Sequence, residues 1–420
     1  MSLNTRSLLA ALAFAGALCA GHSALGAGFQ LNEMSARGTA MGNALVANPD
    51  DASAVFFNPA GMVEVPGTAV SAGVTLVRPS MDVSTLGADG WKTTENDVTW
   101  WTLPSLFSTF QLSEDFWAGI GIYVPFGLGS QFSPSWVGRY SNYDTVITSF
   151  NLNPSVAWRI SDRLSVGAGL VVNFTEFQVK RKVPNAIAPE AGDLDFYLDG
   201  DWNVAFGGNV GLRYEILDNL QWGIAYRSEL DHDLTGTTRV RVNTPAGMMD
   251  VAQADSTCDF ELPALASTGF NYQPTDRWNL GASVAFTQWK AYEELDIRFK
   301  EPLFGKTSAK SVKDWYNVWR FAVGAEYKAL DWLTARCGYV FDEEPTRDSR
   351  LDYLVPANDR HILSCGLGFQ LTDALSLDVA YAYLLIPERG PVQGRPAEGV
   401  LTTEVEGETH MLSATLNYRF

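Results

Sequence analysis

Of the four histidines in this chain, His22 directly follows an N-terminal apolar run. That leaves His232, His361 and His410 as the imidazoles able to move a proton near neutral pH. Acyl hydrolysis would need one of them beside a nucleophile and an acid. No Gly-x-Ser-x-Gly turn stands out, and their spacing assembles no Ser-His-acid set, so the chain reads as a non-enzyme with no catalytic residue. Asp193-Leu194-Asp195 and Asp199-Gly200-Asp201 have the oxygen density of a Ca²⁺ loop. A solvated acidic loop is the simpler reading, and neither a metal nor a cofactor is assigned. Apart from Cys19 near the N-terminus, the cysteines are Cys258, Cys337 and Cys365, far apart, odd in number and without CxxC spacing, so they read as isolated small apolar residues. The remaining candidates are cationic: Arg139 and the run Lys180-Arg181-Lys182. At the outer mouth of a pore they could meet a carboxylate. Loop solvation or contact with lipopolysaccharide is the competing reading.

The elements that would position these groups are strands. The chain is 46% hydrophobic, yet beyond residue 26 no apolar run is long enough for a membrane helix, which excludes helical spans. Apolar residues alternate instead. Leu164, Val166, Ala168, Leu170, Val172 and Phe174 share one face against Ser165, Gly167, Gly169, Val171, Asn173 and Thr175. Leu280, Ala282, Val284 and Phe286 oppose Asn279, Gly281, Ser283 and Thr287. Period 2 means strand, and one apolar and one small or polar face fits a wall between lipid and a polar lumen. Asp followed by Leu or Trp recurs in short turns, as in Asp162-Arg163-Leu164, Asp218-Asn219-Leu220, Asp276-Arg277-Trp278 and Asp331-Trp332-Leu333. Longer polar loops near 179–200 and 236–257 lie on the other side. Short turns on one side and long loops on the other are the asymmetry of an outer-membrane barrel. The expected fold is all-β, a 14-stranded antiparallel transmembrane barrel over 67–420 with both termini in the periplasm. A single chain closes it, so a monomer is expected.

Residues 1–26 carry a basic Arg6, an apolar run from Leu8 to Gly21 and small residues before position 27, the layout of a secretory signal peptide. The net charge is −18, and removing the leader takes away one arginine and no acid. Such a chain does not attract nucleic acid. The last strand, with Leu412, Ala414, Leu416, Tyr418 and Phe420 on one face, ends on an aromatic residue. That ending resembles the sorting signal of bacterial outer-membrane barrels and implies the barrel-assembly machinery as a partner.

Residues 27–66 fit neither leader nor barrel. They lack alternation and are rich in Ala and Gly, and Asp50-Asp51-Ala52-Ser53 could cap a short helix. Phe29, Leu31, Met34, Phe56 and Phe57 argue against a disordered tail. A compact segment ahead of a wide barrel reads as a small helical hatch that plugs the lumen.

Two motifs of this segment resemble the FadL-type outer-membrane transporters, the OMPP1/FadL/TodX family. They are Ala27-Gly28-Phe29-Gln30-Leu31-Asn32-Glu33 and the stretch Asp50–Met62 with its core Asn58-Pro59-Ala60. The resemblance implies gating at Ala27, Gly28, Phe29, Asn58, Pro59 and Ala60. It implies passive, energy-independent uptake of long-chain fatty acids or other hydrophobic molecules, with sideways exit into outer-membrane lipid through a gap at a kink in the third strand. The residues there are Gly119, Gly121, Tyr123, Val124, Pro125, Phe126 and Gly127. Pro125 lacks the ladder N–H and marks an interruption. By parity, Ile120, Ile122, Val124 and Phe126 should face lipid, and Gly119, Gly121 and Gly127 the lumen. The cargo stays open: fatty acid, aromatic hydrocarbon, or the unselective solutes of a general porin.

Overall fold

The computed structural model describes residues 28–185, 188–245 and 247–420. The expected leader and Ala27 lie outside them. Fourteen antiparallel spans close on themselves. They begin with Thr68–Gly87, Trp101–Gln111, a broken third span of Phe116–Tyr123 and Gly127–Gln131, Asp144–Ser161, Leu164–Val183 and Asn203–Leu217. The seventh, eighth and ninth spans are also jointed, their periplasmic parts being Leu220–Arg227, Leu265–Thr275 and Trp278–Thr287. Val318–Leu330, Leu333–Asp342, Arg360–Gln370, Leu375–Val392 and Thr402–Arg419 complete the circle. The last pairs with the first from Ala69 opposite Arg419 to Leu86 opposite Thr402. Closure leaves no edge whose amides would face lipid unpaired.

Alternation decides what faces where. Leu170, Val210, Phe270, Val323, Leu363 and Leu416 stand exposed on the outside. Their strand neighbours Ser165, Asn209, Asn271 and Ser364 are buried on the inside. Near the two-residue turns the outside is aromatic: Phe116 stacks on Trp158 at 5.8 Å and Trp278 lies 4.7 Å from Tyr327, the girdle of a membrane interface. The sequence expectation is corrected above the membrane. The regions near 179–200 and 236–257, read as loops, are largely strand: Leu194–Gly200 pairs with the fifth span, and Leu230–Thr244 with Gly247–Leu262.

The segment 28–66 fills the lumen. Helix α1 (Ala36–Ala40) is capped by Ser35, whose Oγ accepts the Gly38 N–H at 3.1 Å. Helix α2 (Ala54–Phe57) is followed by a 3₁₀ turn, Pro59–Glu64. Both helices are buried, although neither carries enough turns to be stable alone. The wall supports them by close approach. A Cβ on Gly211 would fall 2.0 Å from Asn58 Oδ1, and one on Gly324 would fall 2.4 Å from the Met41 carbonyl. Inward glycines thus form a seat no larger residue permits.

Candidate functional site

Asn58 ties this plug together. Its Oδ1 accepts the Ala60 N–H at 3.1 Å, and its Nδ2 donates to the carbonyls of Val46 at 2.7 Å and Leu212 at 3.1 Å. Pro59 follows as the first residue of the 3₁₀ turn, where its missing N–H costs nothing. The Ala60 carbonyl accepts from Ser165 Oγ at 3.0 Å. The Asn-Pro-Ala core therefore anchors the plug to the fifth and sixth spans. Replacing Asn58 with Ala leaves the buried Val46 carbonyl and the half-buried Leu212 carbonyl without that donor, and is expected to destabilise the docked plug by about 1–3 kcal/mol. Limited proteolysis of the purified protein checks this: the variant should be cut within 28–66 several-fold faster, with the barrel intact.

At the third span the ladder stops. Trp117 to Tyr123 pair with the second span, ending at Ser105 opposite Tyr123. Among the described residues, Gly127–Gln131 pairs only with the fourth span. The wall closes again higher up, where the Asp97 N–H donates to the Gln131 carbonyl at 2.8 Å. Between these points the third span makes no ladder pair with the second among the described residues.

The plug's first residues fill the broken span's missing bonds. Leu31 N–H donates to the Pro125 carbonyl and Gly127 N–H to the Phe29 carbonyl, both at 2.8 Å, with Gln30 opposite Phe126. This overturns the parity expectation for two residues. Val124 and Phe126 are buried toward the lumen rather than turned to lipid, because the interruption at Pro125 resets which face a side chain takes. Gly119 and Gly121 do face inward, packed on Val55, Met62 and Phe107. Tyr123 also points in, its OH donating to Asn153 Oδ1 at 3.1 Å beneath Phe56 at 5.1 Å.

Phe29 sits in an aromatic cage. Ring centroids lie 4.7 Å away for Trp289, 5.7 Å for Phe260 and Tyr292, 6.0 Å for Trp315 and 6.2 Å for Phe126. Gly28 has φ +58°, and a Cβ there would lie 2.6 Å from the Trp289 ring, so only glycine fits. The cage was missed from sequence. Its one signal was the density of aromatics between Phe286 and Trp319, in segments that alternation does not describe.

Above the plug an apolar cavity of about 790 Å³ opens among the outer hairpins, lined by Leu194, Phe196, Leu295, Ile297, Phe299 and Leu303 among others. The cationic candidates separate here. Arg139 pairs with Asp193 at 3.0 Å, Lys180 with Asp144 at 2.7 Å and Lys182 with Asp195 at 2.6 Å. The Arg139 and Lys182 contacts, with Arg239 on Asp199 at 2.6 Å, occupy Asp193, Asp195 and Asp199, three of the acids weighed as Ca²⁺ ligands. Arg181 alone of the four lines the cavity, and among the described residues it has no carboxylate partner. Its guanidinium lies 4.9 Å from the Phe196 ring centroid. Lys313 is also at the cavity but bonds Asp352. Burial alone would raise the Asp352 carboxyl; Lys313 and Arg395 outweigh it and hold it below the usual range. A depressed carboxyl contributes stability above its unfolded pKa and loses it as pH falls through the folded one, so this loop clamp holds at neutral pH.

A family description, outer membrane protein transport protein (OMPP1/FadL/TodX), matches residues 17–420. The chain is 27% identical over 458 residues to a long-chain fatty acid transport protein of Escherichia coli O6:H1, covering 100% of both chains. It is 29% identical to a 47 kDa outer membrane protein of Pasteurella multocida, covering 97% of each. Among solved structures, a Pseudomonas aeruginosa FadL homologue superposes with a TM-score of 0.82 at 23% identity, covering 94% of this chain and 100% of that one. The P. putida toluene transporter TodX gives 0.74 at 18%, covering 93% and 99%. A closed barrel with an apolar exterior, a plugged lumen and a match along nearly its whole length make this chain an outer-membrane transporter of the OMPP1/FadL/TodX family, and not an enzyme.

Proposed function

We propose that the chain carries long-chain fatty acids passively across the outer membrane and releases them sideways through the gap beside the third span. The carrying observation is that plug and gap share one contact. The backbone bonds of Phe29 and Leu31 that hold the plug's start are the bonds that complete the broken strand. In this reading the signal peptide ends at residue 26, 27–66 is the hatch and 67–420 the barrel.

A fatty acid enters the outer cavity, where apolar burial contributes about 0.8 kcal/mol per methylene. Arg181 meets its carboxylate. Deeper in, the acyl chain competes with Phe29 for the aromatic cage. Once Phe29 leaves, its carbonyl releases Gly127, and the path past Val124 and Phe126 opens into lipid. That exit is downhill for an apolar chain and needs no energy source. The outer hairpins contact lipopolysaccharide, the barrel works as a monomer, and its last strand is read by the barrel-assembly machinery.

A second reading, a channel for aromatic hydrocarbons, is favoured by the cage of rings around Phe29. Uptake of labelled oleate and of toluene, in cells with and without the protein, separates the two; stimulated toluene uptake with unchanged oleate uptake would overturn the fatty acid reading. Within the first reading, Arg181→Gln is expected to weaken oleate binding about tenfold, the scale of one charge-assisted hydrogen bond, and to leave binding of the neutral methyl ester unchanged. Equal losses for both would remove Arg181 from the site. A general porin would instead conduct ions in a planar bilayer, where the plugged barrel should be nearly silent.

A further inference from the structure

Cys337 and Cys365 are separated in sequence but not in the wall. Leu333–Asp342 and Arg360–Gln370 are neighbouring spans, and their ladder places Cys337 directly opposite Cys365 with no register shift along it. Both thiols are exposed on the outer face of the barrel. The inward neighbours confirm that facing. Gly338 packs on the Gly42 amide, and Ser364 Oγ donates to the Ala40 carbonyl at 3.0 Å.

The type of pair follows from the ladder's end. The Gln370 N–H donates to the Trp332 carbonyl at 3.0 Å. Residues 332 and 370 therefore form a hydrogen-bonded pair. Such pairs alternate with non-hydrogen-bonded ones, so five residues further along Cys337 and Cys365 are of the second kind. Their Cα atoms are then about 4.5 Å apart with side chains on one face, inside the range of roughly 4.4–6.8 Å that a disulfide bridges.

We infer that Cys337 and Cys365 are joined by a cross-strand disulfide in the mature protein, a covalent tie across the part of the wall that seats α1. The chain reaches the outer membrane through an oxidising compartment, where thiols persist poorly. In the bond-forming step each thiol loses a proton and the pair loses two electrons. The electrons reduce the disulfide of a periplasmic thiol oxidase to two thiols, which take up the protons. The exchange precedes or accompanies insertion, since lipid later shields this face. Cys258 is the competing partner. It is buried on another span, and the longer loop to it disfavours its closure in the unfolded chain.

The test uses full-length protein extracted from outer membranes, denatured, and treated with a bulky maleimide before and after reduction. Reductant is expected to add two maleimide adducts per chain, and proteolytic mapping without reductant to yield one linked peptide containing Cys337 and Cys365. In Cys337→Ser the gain of two should vanish. No gain with reductant in the natural chain, or a linked peptide containing Cys258, overturns the inference.

Discussion

Locking residue 30 to residue 126 should abolish uptake until the lock is reduced. Gln30 and Phe126 are bridge partners, flanked by hydrogen bonds from Leu31 N–H to the Pro125 carbonyl and from Gly127 N–H to the Phe29 carbonyl. That pattern makes them a non-hydrogen-bonded pair, with Cα atoms about 4.5 Å apart, close enough for a disulfide. A Gln30→Cys/Phe126→Cys chain, with the three native cysteines of the described residues changed to Ser, is expected to oxidise spontaneously. Oxidised, it would keep Phe29 in its cage and the gap shut, and oleate uptake should fall at least about tenfold; a blocked step slowed that far corresponds to about 1.4 kcal/mol or more. A membrane-permeant reductant should restore it. Each single-cysteine chain controls for the loss of either side chain. The proposed route fails if the oxidised double variant transports as well as the reduced one, since the cargo would then pass without moving the plug's start.

A second large effect is expected on the periplasmic side of the plug. Glu326 on the tenth span accepts from two guanidinium groups: Arg37 of α1 at 3.2 Å and Arg336 of the eleventh span at 2.5 Å. Arg37 also meets Asp50 at 2.5 Å, and Arg336 meets Asp378 at 2.6 Å. This chain of charges spans plug and wall; Arg37 is buried and the Arg336 side chain is only 9% exposed. Glu326→Ala leaves two cations facing each other without the acid between them. Removing one partner of a fully buried ion pair costs about 3–5 kcal/mol; here each arginine keeps a second acid, Asp50 or Asp378, so the cost falls below that range and comes from the two cations left unscreened. Since the barrel closes through its own ladders, the loss should fall on plug docking. Glu326→Ala is therefore expected to turn a nearly silent protein into one with porin-like conductance steps in a planar bilayer, and to raise sensitivity to large hydrophilic antibiotics. Adding Arg37→Met should return part of the silence, as the repulsion between Arg37 and Arg336 is gone. Conductance unchanged from the natural chain would mean that the Asn58 and glycine contacts hold the plug unaided.

These two tests touch contacts that differ in how legible they were. Asn58-Pro59-Ala60 was visible as a motif, and a local reason for it exists: Asn58 caps the turn that Pro59 begins. Glu326 gave no signal. In sequence it is one lumen-facing acid on one strand, and its meaning arises from an arginine 289 residues away. The cationic candidates show the same limit. Lys180, Arg181 and Lys182 are chemically similar and adjacent, and only folded neighbours such as Asp144 and Asp195 distinguish the paired residues from Arg181.

By itself the sequence determined the barrel, its strand number, its inside and outside, and the presence of a segment that belongs to neither leader nor wall. Those properties depend on period-2 alternation between two solvents, and alternation is written in each strand independently. Only the tertiary structure decided what the segment does at the broken third span. It turned Val124 and Phe126 inward, lent that strand the amide of Leu31 and the carbonyl of Phe29, and put Phe29 among five rings from distant spans. Each is a matter of register between segments far apart in the chain. Register is set by closure and close packing of the whole wall, which no local pattern encodes.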